Sequence, residues 1–174
     1  MRSPAVRLAT LDDVAGIARV HVDTWRSTYR GIVPDRYLDS LSYEGRAEQW
    51  TRTLKRTDGA FVLVSEEAGT IVGFASASPN TDADLPFAGV LAALYVLASH
   101  QGRGHGRVLL CEAARRLSSQ GIASMGLWVF AKNPARAFYT KMGGLLHGEK
   151  PVELAGEVLT KVAYGWPDLR SLAS

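Results

Sequence analysis

The sequence predicts a mixed α/β fold with a central, mostly antiparallel sheet of six to seven strands, about four helices and one glycine-rich crossover from strand to helix. Three observations lead to this class. Short apolar or alternating stretches, typical of strands, occur between longer stretches in which apolar residues recur at helical spacing. A turn signal at residues 68–69 joins two strands as an antiparallel hairpin. Further along, an apolar stretch leads through glycines into a helix, which predicts one parallel crossover.

The first third of the chain predicts one strand and two helices. Residues 5–9 alternate weakly between polar and apolar side chains. Thr10 and Asp13 have the spacing of a capping box, which predicts a helix start there. Helical spacing continues to a break at Gly31 and Pro34 and is carried by Val14, Ile17, Ala18, His21 and Trp25. A second helix is predicted for residues 43–57.

The middle of the chain predicts three strands. Residues 61–65 and 70–78 form the hairpin around residues 68–69, and residues 79–86 form a polar loop. Residues 88–97 are almost continuously apolar. Strands covered on both faces have this pattern, so we expect this strand to be buried on both faces in the middle of the sheet.

The last third predicts a helix, a strand, a short helix and two strands. The first helix is ended by Gly121, and its apolar face consists of Leu109, Leu110, Ala113, Ala114 and Leu117. Residues 125–130 form the next strand, and Asn133 with Pro134 opens a short helix that ends at residues 143–144. Residues 145–166 predict two strands turning near 155–156, and residues 168–174 predict a tail.

Length and composition predict one domain over residues 1–174. Twenty basic against seventeen acidic residues leave a net charge of +3, without a run of five like charges, so neither a nucleic-acid nor a membrane surface is expected. The single Cys111 cannot form an internal disulfide. The four histidines lack metal-ligand spacing, so no metal is expected. No apolar signal region or membrane-length stretch occurs, and a cytoplasmic location is therefore predicted.

The glycine-rich crossover predicts an anion-binding site. The first amides of a helix lack partners inside it, and the helix dipole is positive there, so a phosphate is stabilised twice. Gly102, Gly104 and Gly106 would allow close approach, and Arg103 and Arg107 would add cationic donors. The pattern matches neither a P-loop nor a dinucleotide-binding fingerprint.

Two motifs together resemble the GNAT superfamily of acyl-CoA-dependent N-acyltransferases. The first is Gln101-x-x-Gly104-x-Gly106, which is similar to the family's pyrophosphate loop. The second is Asn133 followed by Phe138 and Tyr139, with a strand between the two motifs. The order of elements and the stretch at residues 25–35 are also similar to this family. The resemblance implies a GNAT-like fold and acetyl-CoA as the acyl donor.

The resemblance also implies roles for individual residues. The strand that ends at Val96 would separate from its neighbour and offer backbone groups to the pantetheine and the acetyl group, while the loop amides would hold the pyrophosphate. The cofactor-binding residues implied are Leu94, Val96, Gln101, Gly102, Arg103, Gly104, His105, Gly106, Arg107 and Asn133. Tyr139 would lie near the sulfur, where a phenol of pKa about 10 can donate to a thiolate whose conjugate acid has a pKa of about 8.5. Capping and core packing are the structural alternatives for Asn133 and Tyr139.

The acceptor side is less determined by the sequence. The resemblance places an acceptor pocket near Trp25 and Tyr29, although core packing explains both residues equally well. Many family members carry a glutamate base on the central strand, but residues 89–96 contain no carboxylate. The available candidate bases are Asp23, His21 and Glu48, and His21 also fits a core histidine.

The predicted activity is transfer of an acetyl group to a primary amine of a small molecule by direct attack. The alternatives are a protein or peptide amine as acceptor, or a module that binds acyl-CoA without turnover. The predicted partners are therefore a coenzyme A thioester and a small-molecule amine. A homodimer is left open.

Overall fold

The computed structural model describes residues 4–173. The strands are β1 (Ala5–Leu8), β2 (Phe61–Glu67), β3 (Thr70–Pro79), β4 (Gly89–Val96), β5 (Met125–Phe130), β6 (Leu145–Leu154) and β7 (Glu157–Trp166). The α-helices are α1 (Val14–Thr28), α2 (Asp35–Ser40), α3 (Tyr43–Leu54), α4 (His105–Ser119) and α5 (Arg136–Lys141). Short 3-10 turns occupy Leu11–Asp13, Ala98–His100 and Leu169–Leu172. No helix within residues 4–173 has both the length and the apolar character needed to cross a bilayer.

The seven strands form one mixed sheet in the order β1-β2-β3-β4-β5-β7-β6. Every neighbouring pair is antiparallel except β4 and β5, which are parallel and connected through α4. The predicted fold class is confirmed, and β4 lies in the middle of the sheet. Both predicted hairpins form, and their turn residues Ala68, Gly69, Ala155 and Gly156 all have positive φ. Such turns match the right-handed twist of the strands that they connect.

β4 and β5 pair only at their first residues and then diverge. The pairs are Gly89 with Met125 and Val90 with Gly126. We call the two separating segments, residues 91–96 and 127–130, the fork. Beyond Val90, therefore, the β5-facing edge of β4 is not paired with its neighbouring strand. The expectation that β4 is buried on both faces fails at Ala92, which is exposed because the strands have separated there.

The closed end of the fork is packed by an aromatic ring. Gly126 of β5 pairs with Gly165 of β7, and the ring of Phe87 lies against both. A Cβ at either glycine would overlap this ring. Glycines on the two strands thus let the loop before β4 cover the sheet where the fork begins.

Helices cover both faces of the sheet. The apolar face of α4 packs on one face, as the sequence predicts, and all five of its predicted residues are at most 2% exposed. On the other face, α1 and α3 pack with β2, β3 and β4, where Ile17, Val20 and Trp50 meet Phe74. Core residues thus lie on both faces of the sheet.

The structure corrects two predicted features and adds one helix that was not predicted. Instead of a tail at 168–174, Leu169–Leu172 forms a 3-10 turn with Leu169 and Leu172 each 3% exposed, while Ser174 lies outside the described residues. This turn packs with α4, and Leu169 N donates to the carbonyl of Ala123 at 2.9 Å. The helix expected to open at Asn133 begins at Arg136. The short helix α2 was not predicted, because six residues that bury only Leu38 carry no apolar periodicity.

Candidate active site

The fork opens into a cavity of about 620 Å³. Its walls come from the separated strands β4 and β5, the end of α1, the beginning of α4, and α5 with the turn before it. Most of the residues predicted from the two motifs line this cavity together. They are Leu94, Val96, Gln101, Gly102, Gly104, Gly106, Arg107, Asn133 and Tyr139.

The glycine loop, residues 101–106, is fixed at the mouth of the cavity. Gln101 Nε2 donates to the carbonyl of Val96 at 3.0 Å and thereby ties the loop to the end of β4. Gly102 and Gly104 have φ of +74° and +93°, a conformation that side chains other than glycine's rarely adopt. Gly104 is also the N-cap of α4, so the unpaired amides of the first helical turn begin here. Their partial positive charge suits a phosphate group.

The side chains of Arg103 and His105 do not line the cavity. Arg103 Nη1 lies 3.2 Å from Glu67 Oε1. His105 is 3% exposed, with Nδ1 at 2.7 Å from Ser65 Oγ and Nε2 at 3.4 Å from Glu67 Oε2. Both side chains thus connect the glycine loop to β2. If these two residues hold the cofactor, they do so through their backbone amides.

Tyr139 lies on α5 and forms part of the cavity wall. The side chain is 7% exposed, and its ring packs against Tyr164 and Trp166 at centroid distances of 6.0 and 6.3 Å. Burial raises the pKa of Tyr139 above its ordinary value of 10. The phenol is therefore protonated at neutral pH and can act as a donor.

Asn133 makes two hydrogen bonds inside the protein. Its Oδ1 accepts from the Ala135 backbone at 2.8 Å, two residues later, and its Nδ2 donates to Tyr29 Oη at 2.9 Å. The first bond forms an Asx turn rather than the expected N-cap, because α5 begins only at Arg136. The second bond fixes the phenol of Tyr29 at the cavity wall. The side chain of Asn133 therefore positions Tyr29.

The two residues predicted for the acceptor side occupy different places. Tyr29 lines the cavity, whereas Trp25 lies behind it, with the two rings 4.6 Å apart. The rings of Tyr37, Tyr95 and Phe130 also lie 5.8 to 6.5 Å from Trp25, and the core residue His21 lies 5.9 Å from it. We call the five residues Trp25, Tyr29, Tyr37, Tyr95 and Phe130 the aromatic cluster. Burial raises the pKa of Tyr29, so its phenol is also protonated.

None of the three candidate bases lines the cavity. His21 is a core histidine whose Nδ1 accepts from Trp50 Nε1 at 3.0 Å, and burial lowers its pKa to about 3. Asp23 accepts from Tyr43 Oη at 2.6 Å, and Glu48 is exposed on α3. Among the described residues that line the cavity there is no carboxylate.

Several lining residues were not predicted as site residues, among them Thr24, Thr28 and Trp128. Thr24 and Thr28 lie one turn apart on α1, each one position before Trp25 and Tyr29, so the aromatic pair was a signal that could have found them. Trp128 of β5 belongs to neither motif. Its Nε1 donates to Asp82 Oδ2 at 2.9 Å, and Lys150 Nζ lies 4.4 Å from its ring centroid. These contacts fix Trp128 as part of the wall.

Comparisons with known proteins agree with this architecture. The sequence model of the acetyltransferase (GNAT) family matches residues 12–144. The chain is 42% identical to the uncharacterized N-acetyltransferase YuaI of Bacillus subtilis over 168 residues, which are 96% of this chain and 95% of that protein. It is 24% identical to a spermidine N(1)-acetyltransferase of Thermoplasma acidophilum over 144 residues, which are 79% and 86% of the two chains.

Solved structures show the same fold. yncA of Salmonella typhimurium, solved with its cofactor acetyl-CoA, superposes with a TM-score of 0.72 at 23% identity, over 97% of this chain and 95% of that one. The PaiA N-acetyltransferase of Thermoplasma acidophilum, solved with coenzyme A, gives a TM-score of 0.67 at 23% identity, over 92% and 98%.

The fold, the cavity and these matches together define an acyl-CoA-dependent N-acetyltransferase. The chain belongs to the acetyltransferase (GNAT) family, and acetyl-CoA is its cosubstrate.

Proposed function

We propose that this enzyme transfers the acetyl group of acetyl-CoA to the primary amine of a small molecule by direct attack of the amine. The observation that carries the proposal is the cavity, which brings the glycine loop, the open edge of β4 and the Tyr139 phenol into one space. No cysteine or serine is among the described lining residues, which supports transfer without a covalent enzyme intermediate.

Each part of the cavity has a distinct role in this proposal. The unpaired backbone groups of β4 hydrogen-bond the pantetheine and the acetyl carbonyl, and the first amides of α4 bind the pyrophosphate. Arg107 and Lys141, which also line the cavity, supply positive charge at this end.

The reaction forms a bond between the amine nitrogen and the carbonyl carbon and breaks the bond between that carbon and sulfur. Tyr139 donates a hydrogen bond to the sulfur as it leaves as a thiolate. The raised pKa of Tyr139 keeps this donor protonated throughout the physiological pH range.

The amine must be neutral to attack. An alkylamine with a pKa of about 10.4 is neutral in only about one molecule in 2,500 at pH 7, which costs roughly 4.6 kcal/mol. Because no described carboxylate lines the cavity, we infer that the enzyme captures the neutral amine from solution and passes the product's proton to water.

A thiol-release assay tests the proposed function. Purified protein is incubated with acetyl-CoA and a panel of small amines, with peptides bearing free N-termini as the alternative acceptors, and free thiol is followed together with the acetylated product. We expect product from at least one small amine. Turnover confined to peptides would replace the small-molecule acceptor, and acetyl-CoA binding without thiol release from any acceptor would contradict the proposal. The oligomeric state is a separate question, because the sequence leaves a homodimer open.

A further inference from the structure

Thr24 lines the active-site cavity and carries a buried hydroxyl without a hydrogen-bond partner among the described residues. The residue is 4% exposed and lines the cavity from α1. Its Oγ1 is buried and has no hydrogen-bond partner within residues 4–173. A buried polar group without a hydrogen bond loses its hydration and gains nothing in return. An unsatisfied hydroxyl in a ligand cavity therefore indicates a group supplied by the ligand.

The hydroxyl lies on the acceptor side of the cavity. Thr24 directly precedes Trp25 of the aromatic cluster and is one turn from Thr28, while the glycine loop comes from the other side of the fork on α4. The phosphates of the cosubstrate are bound at the α4 end in the proposed function. The partner for Thr24 is then a group on the acceptor.

The charges around the aromatic cluster determine which group suits this position. Arg46 is half-buried and donates to Tyr37 Oη at 3.2 Å, and the half-buried Lys161 has its Nζ 5.0 Å from the Phe130 ring centroid. Neither cation has a carboxylate within ion-pair distance among the described residues. The two rings that they contact belong to the cluster around Trp25. Neither side chain lines the cavity, but both lie against the aromatic cluster, so positive charge that no described carboxylate pairs lies behind this wall.

The acidic groups nearby are already paired. Asp82 and Asp84 lie 3.4 and 3.2 Å from Lys150 Nζ, and Asp82 also accepts from Trp128. Asp23 accepts from the Tyr43 hydroxyl on the α1–α3 surface. A polyamine needs carboxylates for its additional ammonium groups, and no described lining residue provides one.

We propose that Thr24 Oγ1 donates a hydrogen bond to an anionic group of the acceptor, so that the acceptor is an amine bearing a carboxylate or a similar anion rather than a polyamine. The inference rests on the proposed function and specifies the substrate class of the same site. A site that hydrogen-bonds a substrate group discriminates strongly against analogues that lack this group. Thr24 is thus a specificity-determining residue.

Matched acceptors test the substrate class. Phenylalanine with phenethylamine, and methionine with 3-(methylthio)propylamine, are pairs that differ only in the carboxylate, and spermidine represents the polyamines. We expect kcat/KM to be at least about tenfold higher for the acid of at least one pair, compared at equal concentrations of neutral amine. Preference for spermidine or for the decarboxylated amines would overturn the inference.

Thr24→Val tests the residue. Valine has the same shape without the hydroxyl, so we expect KM for the acidic acceptor to rise about tenfold, with little change for its decarboxylated partner. The Kd of acetyl-CoA should not change, and Tm should stay the same or rise, because an unsatisfied polar group is removed. The control is Thr51→Val, whose hydroxyl donates to the Ala47 carbonyl at 2.8 Å on α3, outside the cavity.

Three results with Thr24→Val would overturn the assignment. If KM rises equally for both members of a pair, the hydroxyl does not bind the carboxylate. A weaker Kd for acetyl-CoA but not for coenzyme A would assign the hydroxyl to the acetyl group. A lower Tm would assign it a structural role, such as binding a buried water. Absence of thiol release with every acceptor contradicts the proposed function itself, whereas turnover that ignores the carboxylate contradicts only this inference.

Discussion

At the scale of a single residue, the role proposed for Tyr139 depends on its buried, protonated phenol. We expect Tyr139→Phe to lower kcat by roughly 10² to 10⁴ and to leave the Kd of acetyl-CoA nearly unchanged, because the hydroxyl acts mainly in the transition state. Steady-state kinetics and calorimetric titration measure the two quantities. Tyr164→Phe is the control, since Tyr164 packs 6.0 Å from Tyr139 and is absent from the cavity lining. A fall of less than threefold in Tyr139→Phe would leave Tyr139 as a core aromatic residue.

His21 makes folding dependent on pH. Its pKa is lowered from an ordinary 6.5 to about 3, mainly by burial, so below pH 6.5 the unfolded chain binds a proton that the folded chain does not. The contribution of His21 is therefore complete above pH 6.5 and is lost as the pH falls toward 3. We expect the free energy of unfolding at pH 5 to be about 2 kcal/mol lower than at pH 8.

Denaturant unfolding at several pH values measures this dependence on His21. Between pH 6.5 and 5, His21→Gln should reduce the slope of the unfolding free energy against pH by the contribution of about one bound proton. His147→Gln is the control, because His147 is exposed on β6 and should leave the slope unchanged. An unaltered slope in His21→Gln would contradict the prediction.

At the scale of elements, both ends of α4 use glycines with positive φ, and only one end faces the cavity. Gly104 and Gly121 have φ of +93° and +81°, so valine strains the backbone similarly at each. A valine at Gly104 also obstructs phosphate approach to the first amides of the helix. We expect Gly104→Val to raise the Kd of acetyl-CoA tenfold or more, about 1.4 kcal/mol, and Gly121→Val to leave it unchanged.

Isothermal titration of the two variants, with thermal unfolding as the check on folding, separates binding from strain. Similar losses of Tm with a selective loss of affinity in Gly104→Val support the anion site. Equal affinities for acetyl-CoA in folded Gly104→Val and Gly121→Val would contradict the assignment of an anion site.

Elements with local signals could be predicted from the sequence. The hairpin turns, the strand at Met125–Phe130 and the helix ended by Gly121 follow from neighbouring residues alone. The fork itself was expected only through the family resemblance, because strand separation depends on pairing between residues distant in sequence. The prediction of a tail at residues 168–174 was wrong for the same reason, because the turn at Leu169–Leu172 packs against α4.

At the scale of the whole molecule, the wall formed by the glycine loop was predictable, and the wall formed by α1 and Trp128 was not. Glycine turns and helix starts are recognisable from short motifs. Most of the loop residues predicted in this way line the cavity. By contrast, Thr24 and Trp128 have no motif. The Arg103 and His105 side chains turn away from the cavity because they contact Glu67 and Ser65 of β2. Contacts between distant elements determine which side chains face the cavity.

The absence of a described carboxylate in the cavity leads to a prediction about the whole reaction. If the enzyme captures only the neutral amine, kcat/KM for an alkylamine acceptor should rise tenfold per pH unit up to the amine's own pKa. An enzymic base would add a bend with its own midpoint between pH 6 and 8. Initial rates measured across this range, with acetyl-CoA saturating, distinguish the two cases.

Replacement of the candidate bases completes this test. Asp23→Asn and Glu48→Gln should retain the straight profile, because Asp23 is bonded to Tyr43 and neither residue lines the cavity. His21→Gln belongs in the set even though His21 is in the core, since neutral imidazole is the usual general base near pH 7. A bend that disappears in one variant would identify that residue as the base. A bend that persists in all three would mean that another group accepts the proton, and simple capture of the neutral amine would then be wrong.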